Sequence, residues 1–331
     1  MRMIDSHVHL SQNHPGKLFA LTEKYGYEKI GVMAVPCYYS PLNTLECMLM
    51  KRANPEKVFL FGGMTYLPTL EPTAKSHEKQ LELMMDAGCD GWKLLESKPS
   101  VYRELQLPLD GEVFSRAFAM AEQNRIPIKW HAGDPAPFWD AEKAPDFAVQ
   151  NGWLCIGEGF PSLQQIYDQV ENVMARHPKL SVAMAHLYFI SDDRPHGERL
   201  LEQYENFLMD ITPGCEMYDA FRCDIEGWAA FFRRWQDKIE FGTDTTDAST
   251  DPSIDAKLQM ILGTLRESPA NNGFGLEPEI LEKILAKNFE RRTGPSPRPF
   301  SESGLNAYAE WLLPQLPKAL QTQAEHLLSN A

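Results

Sequence analysis

Eight short apolar runs, each followed by a longer segment of helical spacing, constrain the fold of this chain more than any other feature. The runs are RMIDSHVH, KIGVMAVP, VFLFGGMTY, DGWKLLE, IPIKWHAG, LSVAMAHL, FLMDITPG and KIEFGTDTT. Between them lie stretches such as SHEKQLELMMDAG and SLQQIYDQVENVMARHP, with apolar residues at helical intervals. Apolar strands alternating with amphipathic helices predict a parallel sheet covered on its faces. Eight such units predict an α/β fold, the (β/α)8 TIM barrel, with an open doubly wound sheet as the alternative. The length of 331 residues suits one barrel or two average domains. The strand–helix units assign residues 1–292 to the barrel and 293–331 to a C-terminal helical extension packed on it. LEPEILEKILAKNFERR and LNAYAEWLLPQLPKALQTQAEHLL read as two final helices, joined by the Pro- and Ser-rich linker TGPSPRPFSESG.

Composition narrows the partners. Hydrophobic residues at 43% supply a large core. A net charge of −14 leaves no basic face to neutralise phosphates, which argues against nucleic acid. A small anionic substrate stays open, because a bound metal can overrule the global field locally. The six cysteines (Cys37, Cys47, Cys89, Cys155, Cys215 and Cys223) form no CxxC pair and read as reduced, mostly buried thiols. The first residues lack the pattern of a secretory signal, and no run has the length of a membrane span. The expectation is a cytoplasmic protein with neither a membrane nor a nucleic-acid partner.

In a barrel, chemistry gathers at the C-terminal ends of the strands. His7, His9, His131 and His186 fall late in expected strands, the eighth strand ends in Asp244, and the fourth carries Lys93. His7 and His9 are two apart, so in a strand they point to the same side. They can share one ion, since Zn–N bonds are only about 2.0–2.1 Å long. Asp244 would add an anionic oxygen and His131 a further nitrogen, a mixed set suited to zinc, manganese or iron. Alone, the HxH pair is equally a pair of satisfied strand-end histidines. Asp5 is expected deeper on the same side as His7, as a structural anchor. His14, His77, His177, His196 and His326 read as loop or helix histidines without chemistry.

These pieces together resemble the amidohydrolase superfamily, above all its branch of aminocarboxymuconate-semialdehyde decarboxylase, lactonases and "amidohydrolase 2" proteins. The matching segments are IDSHVHL, GWKLL, IPIKWHAGD, HPKLSVAMAHL, EFGTDTT and ILAKNFERR, in the family's order from residue 3 to about residue 292. The resemblance implies that His7, His9, Asp244 and His131 bind one divalent metal, Zn2+ first and Mn2+ or Fe2+ next. It makes Asp244 the acid/base for metal-activated water and His186 an acid/base or substrate-orienting residue. Lys93 brings a second option: in binuclear members a carboxylated lysine at this place bridges two metals, with His131 and His186 on the second ion. An ordinary ion pair of Lys93 with Glu96 is the plain alternative. Tyr102, Arg103 and Trp139 are the weaker candidates for substrate contact, and Glu158 in GEGFPS reads as structural.

The function expected is hydrolysis of a C–N or C–O bond (amide, cyclic amide, lactone or ester) in a small molecule. A non-oxidative decarboxylase on the same scaffold is the alternative. A barrel that binds metal or ligand without turnover is the third reading. His7 tilts the choice towards hydrolysis, since some decarboxylases of the branch carry glutamate there. The extra C-terminal helices leave a homo-oligomer open.

Overall fold

The computed structural model describes residues 1–214 and 216–330. At its centre is a parallel sheet of β1 (Ile4–His9), β2 (Lys29–Met33), β3 (Val58–Gly63), β4 (Gly91–Ser97), β5 (Ile128–Ala132), β6 (Val182–Met184), β7 (Phe207–Asp210), β8 (Ile239–Glu240) and β9 (Thr245–Thr246). Neighbours follow in chain order, and β1 pairs with both β2 and β9. The sheet thus closes into the TIM barrel rather than staying open. The eighth expected strand is broken in two: β8 pairs with β7, and β9 with β1.

That break has a local cause. The Phe241 N–H donates to the Ile284 carbonyl (3.0 Å), outside the sheet. Ile284 lies in a π-helical turn, Lys283–Lys287, between the helices Pro278–Glu282 and Asn288–Thr293. Such wide turns concentrate at functional sites. Gly242 lets the broken strand pass close to β1, because a Cβ there would lie 2.8 Å from the Cβ of His7. Asp244 then turns with a left-handed φ of 53°.

β1 is irregular too. Its register with β2 shifts between Asp5 and Val8, as at a β-bulge. Asp5 and Val8 both face the layer between barrel and helices, beside Leu18 and Leu21. Asp5 therefore does not share the side of His7, as unbroken alternation would require. Its buried carboxylate accepts from the N–H of Thr243 (3.1 Å) and of His7 (3.2 Å), tying β1 to the broken eighth strand.

Apolar strand and helix faces make the main core, in which Phe118 stacks on Trp130 with centroids 5.7 Å apart. Ile4, Met33, Phe59 and Phe61 form a separate cluster with Ala286 and Phe289 of the last barrel helix. The C-terminal segment lies along the barrel flank. The Ser301 N–H donates to the Ala87 carbonyl (3.2 Å), and Leu305, Tyr308, Leu312 and Leu316 are buried. The long last helix expected there is two, Glu302–Leu312 and Lys318–Asn330. Pro314 and Pro317 fall between them and cannot donate to a continuing helix. Cys47, Cys89 and Cys155 are buried free thiols, Cys37 is half-buried, Cys223 is exposed, and Cys215 lies outside the described residues. No helix among the described residues is long and apolar enough to cross a membrane.

Candidate metal centre

The bulge in β1 aims both histidines of HVH at the C-terminal mouth of the barrel. His7 Nδ1 lies 2.9 Å from Asp210 Oδ2, and His9 Nδ1 lies 2.9 Å from the Met33 carbonyl oxygen. A carboxylate and a carbonyl only accept, so each ring carries its proton on Nδ1 and turns the lone pair of Nε2 to the cavity. His9 Nε2 is 3.2 Å from Asp244 Oδ1, and His7 Nε2 is 4.0 Å from it. Ligand atoms of His7, His9 and Asp244 all lie within 4.8 Å of one another. Three acceptors facing each other repel unless a cation lies among them. Lys93 supplies one: its Nζ stands 3.2 Å from His7 Nε2, in the bore of the barrel. Two neutral imidazoles and a carboxylate fit a divalent transition metal, which would take the place the ammonium holds.

Lys93 is buried, and burial pushes it down to about 8 against the pull of Asp210 and Asp244. It does not pair with Glu96, whose carboxylate accepts from the Tyr66 hydroxyl (2.9 Å). Burial and the nearby Lys93 also drive His7 well below the usual imidazole range, so it is neutral near pH 7. For Asp244, burial pushes upward, but the close imidazoles of His9, His7 and His186 hold it well below the carboxylate range.

His131 and His186 line the same cavity but lie outside the converging triad. His131 Nε2 lies 3.2 Å from Asp134 Oδ1, and the two oxygens of Asp134 take Lys98 Nζ at 2.8 and 3.0 Å. Burial pushes His131 down to about 3. The β6 run stops at Met184, and His186–Phe189 follow as a left-handed turn with φ between 51° and 58°. Four non-glycine residues there cost about 1–2 kcal/mol each. Asp210 secures that turn, its Oδ1 accepting the N–H of His186 at 2.9 Å. The imidazole of His186 hydrogen-bonds the Thr212 carbonyl through Nδ1 (3.3 Å), and its centroid is 5.6 Å from that of His7.

The cavity measures about 240 Å³, walled by Tyr38, Tyr39, Phe138, Trp153 and Phe189. Tyr102, Arg103 and Trp139 are not among its lining residues. Arg103 is exposed, paired with Glu104 (2.7 Å) and laid over the Phe160 ring. Trp139 donates Nε1–H to the Pro161 carbonyl at 2.8 Å, while its neighbour Phe138 faces the cavity. Of the other histidines, His77, His177 and His196 bond Tyr66, Glu122 and Glu171 away from the cavity.

Sequence reasoning passed over Asp210, Lys129 and Glu240. Each interrupts an apolar strand run, a costly placement that was itself a signal. All three are fully buried.

No protein-family model and no curated protein matches the sequence. Solved structures do match over the whole barrel. An uncharacterized TIM-barrel protein from Bordetella bronchiseptica is 16% identical, with a TM-score of 0.58, covering 88% of this chain and 98% of that one. A probable 2-pyrone-4,6-dicarboxylic acid hydrolase from Acinetobacter baumannii, solved with citric acid bound, is 11% identical, with a TM-score of 0.54 and coverage of 89% and 100%. A 2,6-dihydroxybenzoate decarboxylase in complex with 2,6-dihydroxybenzoate is 14% identical, with a TM-score of 0.54 and coverage of 88% and 99%. At these identities the likeness bears on the fold.

Proposed function

We propose that this chain is a member of the amidohydrolase superfamily and a metal-dependent hydrolase, opening a C–N or C–O bond of a small molecule. The observation that carries this reading is the convergence of His7 Nε2, His9 Nε2 and an Asp244 oxygen at the C-terminal mouth of a TIM barrel. A divalent ion held there, Zn2+ first, would polarise the scissile carbonyl and lower the pKa of water towards neutrality. Asp244, held ionised among the imidazoles, would take that water's proton and pass it to the leaving group. Burial lowers His186, so it is neutral near pH 7 and acts as a second proton acceptor or a hydrogen-bond partner of substrate. His131 lines the same cavity as the candidate fourth ligand; this requires a nitrogen other than the Nε2 that faces Asp134.

The cavity supports a small, flat substrate. Its volume is near the lower bound of ligand sites, about 300 Å³, and aromatic rings form much of its wall.

The test is metal analysis of protein purified without added metal, followed by assays of lactones, N-acyl compounds and aromatic carboxylates in parallel. One equivalent of zinc with lactone or amide hydrolysis is the expected result. Release of CO2 from an aromatic carboxylate without any hydrolysis would replace this reading with the decarboxylase. No bound ion and no turnover after supplementation would leave a non-catalytic barrel.

A further inference from the structure

The barrel bore holds an unbroken row of alternating charge beneath the proposed metal site. Arg292 embraces Glu240, Nη2 to Oε2 at 2.9 Å and Nε to Oε1 at 2.6 Å. Lys129 Nζ stands 3.0 Å from Glu240 Oε2 and 3.0 Å from Asp210 Oδ2. Asp210 Oδ2 in turn accepts from His7 Nδ1. The four charges sum to zero, and the side chains of Glu240, Lys129 and Asp210 are 0% exposed.

Stability alone does not account for this row. Barrel bores are filled most cheaply by branched apolar side chains, and buried ion pairs rarely outperform such packing. What the row does achieve is orientation. Asp210 touches two site histidines at once, the ring of His7 and the backbone N–H of His186. Backbone N–H groups of His186 (2.9 Å) and Thr212 (3.1 Å) hold its Oδ1, while its Oδ2, the oxygen that meets His7, takes the ammonium of Lys129, itself held by Glu240 beside Arg292. We propose that Lys129, Glu240 and Arg292 are positioning residues: they hold Asp210 Oδ2 against His7 Nδ1 and so fix the tautomer that offers Nε2 to a metal. The role in metal binding rests on the hydrolase reading above; the tautomer assignment does not.

The experiment compares the full-length protein with a Lys129→Met/Glu240→Gln double variant, which removes one charge of each sign. 15N spectra of metal-free protein read the His7 tautomer, and competition titration with zinc reads affinity. The double variant is expected to populate both His7 tautomers and to bind zinc about tenfold more weakly, as for lost outer partners of a metal ligand. A Lys51→Met/Asp90→Asn control removes an equally buried ion pair remote from His7 and is expected to leave both readouts unchanged. A folded double variant with the wild-type tautomer and zinc affinity would overturn the proposal. If the double variant does not fold, Arg292→Gln, at the end of the row farthest from His7, gives the same readouts: a mixed tautomer supports the proposal and a wild-type tautomer overturns it. Wild-type protein that binds no zinc sinks the hydrolase reading instead, while the metal-free spectra still decide the tautomer.

Discussion

His7 and His9 sit two residues apart, yet their rings are held by partners from different strands, Asp210 on β7 and Met33 on β2. Removing a ligand and removing its support should therefore differ in degree. His9→Ala or Asp244→Asn is expected to weaken zinc binding on the order of 100-fold or more, whereas Asp210→Asn should cost about 10–100-fold. Isothermal titration with zinc measures both, and equal losses would contradict the distinction. The histidines and Asp244 were legible in the sequence because each ends an apolar run near an expected strand terminus. Their supports were not, because Asp210 is 203 residues from His7 and Lys129 is 111 from Glu240. Nothing in one chain's order says which buried charges will meet. Away from the site, burial pushes His77 from 6.5 down to about 4. As pH falls below 6.5 the unfolded chain takes a proton that the folded one refuses until about pH 4, so stability is lost across that window. At about 1.4 kcal/mol per pH unit the loss reaches about 3 kcal/mol. His77→Gln should flatten the fall of unfolding free energy between pH 6.5 and 4; an unchanged slope would mean that folded His77 is already protonated.

At the scale of elements, the eight strands and their order were readable from hydrophobic alternation, and the helices from their spacing. The departures that build the site were not. The β1 bulge, the left-handed turn at His186–Phe189 and the break in the eighth strand carry no run of glycines to announce them. Tertiary bonds impose them instead: Asp210 on the turn, Ile284 on the broken strand, and Asp5 between the β1 bulge and the broken strand. Trp139 illustrates the same limit, since a shift of one residue puts Phe138 rather than Trp139 on the cavity. A strained position without such a role should be improvable. Arg125 closes the helix Glu112–Asn124 in the left-handed region (φ 53°). Glycine adopts that geometry without a Cβ clash. Arg125→Gly is expected to raise stability by about 0.5–1 kcal/mol with activity unchanged. Urea denaturation checks this, and a lower midpoint would show that the arginine side chain contributes more than its backbone costs.

For the molecule as a whole, the decisive feature is the seam where β9 meets β1. His7 and His9 stand on one side of it and Asp244 on the other. A metal there would join the first strand to the last across more than two-thirds of the chain. Chelation should lower the melting temperature, and zinc at about 100 times its Kd should restore about 2.7 kcal/mol. Calorimetry with and without chelator tests this, and a melting temperature indifferent to both would place the ion off the seam.

The seam also sets a schedule. A ribosome releases the two histidines among the first residues it makes and Asp244 only after most of the polypeptide has emerged. The proposed ion-binding triad is therefore incomplete until the eighth strand has emerged, and a shorter nascent chain presents no finished pocket to capture metal. Occupancy of the site would mark a chain whose ends have found each other.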